Sequence, residues 1–157
     1  MEIRKAEEKD LEEIFKLKLK LKKEEKKADR YLRPITRTRD IYKKYLARDL
    51  RRQGMDRIIL VAVRDRKIIG YVRGTLTRTL HILNVRLRGT IDNLYIEKKY
   101  RKNGAAKDLI KELIIWFREK KVDVMTLHVY PSNHKAVSLY KKLGFREYTI
   151  NMNKKLD

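Results

Sequence analysis

The sequence predicts an α/β fold in which helices flank a mixed, largely antiparallel sheet. Strand-like apolar runs alternate along the chain with stretches whose apolar residues recur at helical spacing. Two strand-like runs are joined by a short polar turn, which predicts a hairpin. Another leads through a basic, glycine-containing turn into a helix. These observations predict the order β-α-α-β-β-β-α-β-α-β in one domain covering residues 1–157.

The chain is expected to start with a short strand and a long helix. The strand covers residues 2–5, and Asp10 caps a helix that reaches about Ala28. Residues 16–22 alternate Lys and Leu, which by period alone indicates a strand. These residue types favour helix and the flanking sequence is helical, so a helix is predicted throughout.

A second helix and the hairpin follow. Pro34 ends the first helical region, and a helix from about Asp40 to Gln53 stops at Gly54. Residues 57–63 and 68–76 are then the two strands of the hairpin.

The second half alternates strands with helices. Residues 79–85 fit either a loop or a strand extension, and the helix after the basic turn begins at Ala105. The other expected elements are a strand from about Leu87 to Ile96, a strand Val124–Tyr130, a helix Asn133–Leu143 and a last strand Phe145–Met152.

Composition excludes several classes of site. The chain has no Cys, so it has no disulfide, thiolate metal site or cysteine nucleophile. Its 3 His lie in no cluster with acidic residues, which argues against a metal. No apolar run approaches the roughly 20 residues of a membrane helix, and no signal-peptide core follows Met1. We therefore expect a cytoplasmic protein without a membrane partner.

The charge has two interpretations. Lys and Arg number 42 against 21 Asp and Glu, for a net charge of +21. Such a surface is typical of thermophilic proteins, although those usually balance the two signs. The excess also produces a field that attracts an anionic cofactor or an acidic partner such as RNA or the ribosome.

The basic turn is the most informative local feature. A strand-like run precedes it and a helix-like run follows, so unpaired amides and the helix dipole meet there. Gly104 allows close backbone approach, and two small residues follow it. This arrangement predicts a phosphate-sized anion site. Its contacts are expected from Arg101, Lys102, Asn103, Gly104, Ala105, Ala106 and Lys107.

A second motif follows about thirty residues later. It consists of Asn133, Ala136, Leu139-Tyr140 and Leu143-Gly144-Phe145. Together with the spacing Arg101-x-x-Gly104-x-Ala106, it resembles the two signatures of the GNAT superfamily of acetyl-CoA-dependent N-acetyltransferases. The resemblance covers about the last seventy residues, and the first half matches only in its succession of elements.

The resemblance implies how acetyl-CoA would bind. The turn would hold the pyrophosphate. The fourth and fifth strands would splay apart at a bulge, and the pantetheine arm would pair with Leu94, Tyr95 and Ile96. A backbone N–H near Ile96 is the implied donor to the carbonyl oxygen.

Acetyl transfer also needs an acid for the departing thiolate. Tyr140 is the candidate, because a phenol is protonated at neutral pH. Asn133 lies two helical turns earlier on the same face, where it could hold the pantetheine arm or position the helix start. The structural alternative is that Asn133 only caps the helix and Tyr140 only packs in the core.

Two residues are candidates for the base that deprotonates the amine. In the predicted strand Val124–Tyr130, His128 lies on the face opposite the apolar one, and imidazole can accept a proton directly or through water. Some family members carry Glu at that place, and a surface histidine is the alternative. Asp92 would share a face with Thr90 and Leu94 unless a bulge intervenes. A water relay without a dedicated base is also open.

The leading hypothesis is direct transfer from acetyl-CoA to an amine, since no Cys is present and no triad surrounds Ser132 or Ser138. The acceptor could be a protein N-terminus, a lysine or a small amine. The alternatives are a basic RNA- or ribosome-associated module on the same fold and a non-catalytic acyl-CoA sensor. Either a monomer or a homodimer is compatible with the sequence.

Overall fold

A computed structural model describes residues 1–80 and 84–156. The undecided stretch 79–85 therefore lies partly outside the described residues. In chain order the described elements are β1 Glu2–Lys5, α1 Leu11–Ala28, α2 Ile35–Arg51, β2 Arg57–Arg64, β3 Lys67–Arg78, β4 Leu87–Ile96, α3 Ala105–Glu119, β5 Val124–Leu127 and α4 His134–Lys142, with short 3-10 turns at Glu8–Asp10 and Lys98–Tyr100.

The sheet confirms the predicted fold class. Its strand order is β1-β2-β3-β4-β5. The first four strands pair antiparallel and β5 pairs parallel to β4. Asp65 and Arg66 connect β2 to β3 with φ of 50° and 60°, the left-handed conformation that a two-residue hairpin turn requires.

Helices cover both faces of the sheet. On one face, α3 buries Leu109, Ile110 and Leu113 against the strands. Gly74 and Gly89 allow this close packing, since a Cβ on either would lie within 3 Å of a side chain of α3. On the other face, α1 and α2 bury a second cluster that includes Phe15 and Leu46. The alternating Lys and Leu segment belongs to α1, as predicted.

The structure corrects the predicted end of the sheet. β5 stops at Leu127 instead of Tyr130, because its pairing with β4 ends there. The predicted last strand Phe145–Met152 is not formed among the described residues. Residues 146–156 are instead exposed, and their backbone makes no hydrogen bond with the rest of the described chain.

The starts of both helices in the first half also differ from the prediction, α2 in its first residue and α1 in the role of Asp10. α2 begins at Ile35, directly after Pro34, because proline disfavours a helix in the residues before it and is well accommodated at a helix start. Asp10 precedes α1, but its carboxylate does not cap that helix. It accepts hydrogen bonds from Arg4 and from the backbone N–H of Glu7, which attach the start of α1 to β1.

Candidate active site

The site begins where β4 and β5 diverge. Ile91 and Leu127 are the last paired residues of the two strands. Directly beyond them, β4 contains a bulge, since Gly74 of β3 lies opposite Ile91 and Arg73 lies opposite Asn93. Asp92 is the extra residue. The bulge bends the strand and opens a cleft between β4 and the chain that follows β5.

Beyond the bulge, one edge of β4 carries unpaired backbone groups. Glu97 donates its N–H to the carbonyl of Ile69 in β3, at 2.8 Å. Because successive residues of a strand point their amides to opposite sides, the N–H groups of Ile96 and Leu94 lie on the open edge. This edge can pair with an extended, amide-containing ligand.

The basic turn has the backbone of an anion cradle. Lys102 and Gly104 adopt φ of 69° and 82°, and Gly104 immediately precedes α3. Among the described residues, no acceptor bonds to the backbone N–H groups of residues 102–107. Ala105 is buried, so it keeps the mouth of the cradle clear. The backbone geometry and the absence of competing acceptors fit a pyrophosphate.

Arg101 anchors the turn to its surroundings. Its Nε donates to the carbonyl of Ile96 at 2.8 Å, and its Nη2 donates to both carboxylate oxygens of Glu24 in α1, at 3.0 and 3.1 Å. The guanidinium also lies 5.1 Å from the centre of the Tyr95 ring. Arg101 therefore joins the end of β4 to α1, and the sequence predicted only a phosphate contact.

An open pocket of about 590 Å³ adjoins this turn. Its lining residues are Glu24, Lys98, Arg101, Lys102 and Lys135. Sequence reasoning missed Lys98 and Lys135, because single lysines give no signal in so basic a chain. Lys135 lies in the first turn of α4, so the pocket places the start of the second motif beside the basic turn.

The second motif forms α4. Asn133 is its N-cap, and the side-chain oxygen accepts the backbone N–H of Ala136 at 3.2 Å. Tyr140 is half-buried against the core on the α3 face and meets Phe145 edge-on, with ring centres 5.7 Å apart. Burial raises the pKa of Tyr140 to about 12. The phenol is therefore protonated at neutral pH, as a proton donor must be.

The two candidate bases are the first residues beyond the last pair of β4 and β5. Asp92 follows Ile91, and its Oδ2 accepts from Arg73 Nη1 at 2.7 Å and from Thr75 Oγ1 at 2.8 Å. His128 follows Leu127, is exposed, and has no hydrogen-bond partner in residues 1–80 and 84–156. Both candidates therefore lie at the fork of the sheet.

The bulge also changes which residues share a face. Leu94 packs with the core beneath α3, whereas Asp92 bonds to Arg73, which in turn donates to Asp49 of α2. The bulge that the sequence analysis allowed for does intervene, and Asp92 and Leu94 therefore do not share a face. Tyr95 likewise points away from the α3 face, and its hydroxyl is 3.4 Å from Glu24 Oε1.

One further long-range contact involves Tyr130, in the segment after β5. The Tyr130 hydroxyl donates to Asp29 Oδ2 at 2.9 Å, across 101 residues of sequence. Burial, followed by this hydrogen bond, raises the pKa of Tyr130 to about 12. The bond joins the end of α1 to the segment after β5, a pairing for which no local pattern exists.

The described residues show no grouping of three or more His, Asp or Glu that could hold a metal ion. No helix within them is long and apolar enough to cross a membrane.

Comparison with known proteins identifies relatives for part of the chain. The [Ribosomal protein bS18]-alanine N-acetyltransferase of Escherichia coli (strain K12) is 34% identical over 64 residues, which are 41% of this chain and 43% of that protein. The N-alpha-acetyltransferase 30 of Saccharomyces cerevisiae is 39% identical over 62 residues, covering 40% and 35% of the two chains. The match thus spans less than half the length of either relative.

Solved structures share the whole fold. A variant of the BH1408 protein from Bacillus halodurans superposes with a TM-score of 0.82 at 24% identity, over 99% of both chains. The aminoglycoside N-acetyltransferase AAC(6')-Iy in complex with CoA gives a TM-score of 0.75 at 18% identity, over 98% of this chain and 93% of that one.

The family assignment rests on most of the chain. The profile described as the Acetyltransferase (GNAT) family matches residues 18–145, a range that includes both motifs and the fork of the sheet. The sequence-based identification as a member of the GNAT superfamily is confirmed at the level of this family. The chain belongs to the acetyltransferase (GNAT) family.

Proposed function

We propose that this protein is an N-acetyltransferase that moves the acetyl group of acetyl-CoA directly to the α-amino group of a protein N-terminus. The observation that carries the proposal is the open edge of β4, which runs from the fork at Ile91 into the amide cradle before α3. The two curated relatives, an alanine N-acetyltransferase of a ribosomal protein and an N-alpha-acetyltransferase, support an α-amino acceptor.

Acetyl-CoA would bind along this path. Backbone N–H groups of residues 102–107 would hold the pyrophosphate, with charge from Lys102 and from Lys135 of the adjoining pocket. The amides of the pantetheine arm would pair with the open edge at the carbonyl of Leu94 and the N–H of Ile96. This direction brings the thioester to the fork of the sheet.

The reaction would then proceed in a single transfer. His128 would accept a proton from the ammonium of the acceptor, directly or through water, because its imidazole has no competing partner among the described residues. The neutral amine would form the C–N bond while the Leu94 N–H, the open-edge amide nearer the fork, stabilises the carbonyl oxygen. The C–S bond would break as Tyr140 protonates the leaving thiolate, and the second proton, which the new amide nitrogen releases, would pass through solvent and restore the Tyr140 phenol.

Cofactor binding is tested by thermal shift. Acetyl-CoA at saturating concentration should raise the melting temperature by mass action. Gly104→Glu should abolish the rise, since it adds bulk and negative charge at the cradle and disfavours the φ of 82° there. Lys111→Glu, on the exposed face of α3, is the control and should keep the rise. No shift with any acyl-CoA would contradict the proposal.

Catalysis is tested at Tyr140. Tyr140→Phe should lower kcat at least about tenfold, toward the range of roughly 10²–10⁴ that positioned acids provide, with little change in acetyl-CoA binding. Tyr45→Phe, on an exposed side chain of α2, should have no effect. Unchanged turnover would remove Tyr140 from the reaction.

The acceptor is tested with paired peptides. Peptides with a free α-amino group should be acetylated, whereas the same peptides with a blocked N-terminus and a free lysine should not. Acetylation of the lysine peptides alone would refute the α-amino acceptor while leaving the transferase activity established.

A further inference from the structure

The outward face of α2 carries a row of positive charge. Its members follow one another at intervals of seven, four and three residues, which keeps them on one side of the helix. That side is opposite the residues that α2 buries in the core, and every member of the row is exposed. This basic stripe consists of Arg37, Lys44, Arg48 and Arg51.

The stripe lacks the local partners that neutralise charge elsewhere on the helix. Lys43, on another side of α2, pairs with Glu12 of α1. Within the stripe, only Arg48 approaches a carboxylate of the described residues, at 3.6 Å from Asp49. The other three members form no ion pair or hydrogen bond with residues 1–80 and 84–156. Asp40, at the edge of the stripe, is the single exposed acid of this helix, so the face keeps a positive charge for an anionic partner.

Two apolar side chains border the stripe on the same outward surface. Ile41 and Tyr45 are 47% and 51% exposed. The Arg48 guanidinium lies 5.0 Å from the centre of the Tyr45 ring and holds the ring beside the stripe. An exposed aromatic ring next to a row of cations is suited to a single strand of nucleic acid, because the cations meet phosphates while the ring stacks on an unpaired base.

The length of the stripe fits several phosphates. From Arg37 to Arg51 the helix rises about 21 Å, at about 1.5 Å per residue. A stacked nucleic-acid strand carries one phosphate per roughly 3.4 Å of its axis, or about six phosphates over that distance. The long side chains of the stripe can therefore each reach a phosphate of the same strand.

We propose that the outward face of α2 binds single-stranded nucleic acid, with the basic stripe on the phosphates and Tyr45 stacked on a base. A membrane surface fits this face less well, because Ile41 and Tyr45 expose little apolar area for insertion. An acidic protein segment would use the cations but leave the exposed ring without a base to stack on. The inference rests on the surface of α2 and does not depend on the proposed function.

The first test measures the binding of a short fluorescent oligouridylate by anisotropy at several salt concentrations. Arg37→Glu with Lys44→Glu and Arg51→Glu should weaken binding at least about tenfold in 0.1 M salt, since three phosphate contacts are lost. The slope of log affinity against log salt should become shallower by about 2, at roughly 0.7 per contact. Failure of the unmodified protein to bind the oligonucleotide would overturn the proposal.

The matched control removes the same charge from the opposite side of the sheet. Lys111→Glu with Arg118→Glu and Lys142→Glu changes exposed positions of α3 and α4. It should leave the salt slope unchanged and alter the affinity less than about threefold, because charges farther apart than about 10 Å are screened in 0.1 M salt. Equal losses in the two triple variants would show that the net charge of +21, and not the stripe, is responsible, and would overturn the proposal.

The second test separates a nucleic acid from other polyanions. Tyr45→Ala should weaken oligouridylate binding about tenfold and leave heparin binding unchanged, since heparin carries charge but no bases. Tyr148→Ala, at a side chain that is 83% exposed and lies outside the stripe, is the control and should weaken neither. Tyr45→Ala without effect on the oligonucleotide would refute the stacking. Competition by polyglutamate or by an RNA duplex as strong as that by unlabelled oligouridylate would refute the single-stranded partner.

Discussion

Lys18 provides a quantitative test of the packing between α1 and the sheet. It is only 7% exposed, and its Nζ forms no hydrogen bond or ion pair with the described residues. Its Nζ lies 5.7 Å from the centre of the Tyr42 ring. Burial, followed by the charges of Arg73 and Lys22, lowers the pKa of Lys18 to about 8.

The cost of this burial follows from the pKa. A fall from 10.5 to about 8, at 1.36 kcal/mol per pH unit, amounts to about 3 kcal/mol against the charged form. Between these two values the unfolded chain binds more protons than the folded one, so stability rises with pH across that window. Below pH 8 the whole penalty applies, and above about pH 10.5 it vanishes.

Replacing Lys18 by Met keeps the apolar stem and removes the charge. We expect Lys18→Met to raise the free energy of unfolding at pH 7 by up to about 3 kcal/mol, and the gain to shrink as the pH passes from 8 to 10. Urea unfolding across this range measures the difference between variant and parent. Lys16→Met, at an exposed position of the same helix, is the control. A gain that is the same at every pH would refute the reasoning, because the effect would then come from packing and not from charge.

Three other predictions follow from the structure. Asp49→Asn should lower the free energy of unfolding, measured with urea, by about 3–5 kcal/mol, since it removes a buried carboxylate that forms ion pairs with both Arg57 and Arg73. An unchanged midpoint would contradict this. Tyr130→Phe should cost about 1 kcal/mol for the hydrogen bond to Asp29, by the same measurement; no loss would mean that the bond is not formed in solution. His128→Gln should lower kcat with little change in acetyl-CoA binding, and unchanged turnover would exclude His128 as the base.

The local features of the fold were predictable because they depend on neighbouring residues. The bounds of β4 and the start of α3 at Ala105 agree with the sequence prediction. The glycine turn was predictable for the same reason, since the strand, the glycine and the helix are contiguous. The alternating Lys and Leu segment is helical, as helix propensity predicted, although its period alone indicated a strand.

The contacts that depend on distant residues were not predictable. Arg101 meets Glu24 across 77 residues, and Tyr130 meets Asp29 across 101. No periodicity encodes such pairs, because they arise only when α1 is placed on the sheet. The length of β5 has the same origin: its sequence favours a strand to Tyr130, but a strand ends where its neighbour turns away.

The bulge at Asp92 is another feature that the sequence did not predict, and it lies at the candidate active site. An inserted residue leaves no trace in the apolar pattern of a single strand, since it shows only in the pairing of Arg73 with Asn93. Yet it bends β4 away from β5, shortens β5 at Leu127, and leaves the amides of Leu94 and Ile96 without a strand partner on that side. The same inserted residue commits Asp92 to Arg73 and leaves His128 the unengaged candidate at the fork. The feature that opens the cleft thus also gives the two candidate bases different surroundings, and it depends on a strand pairing that single-strand patterns do not contain.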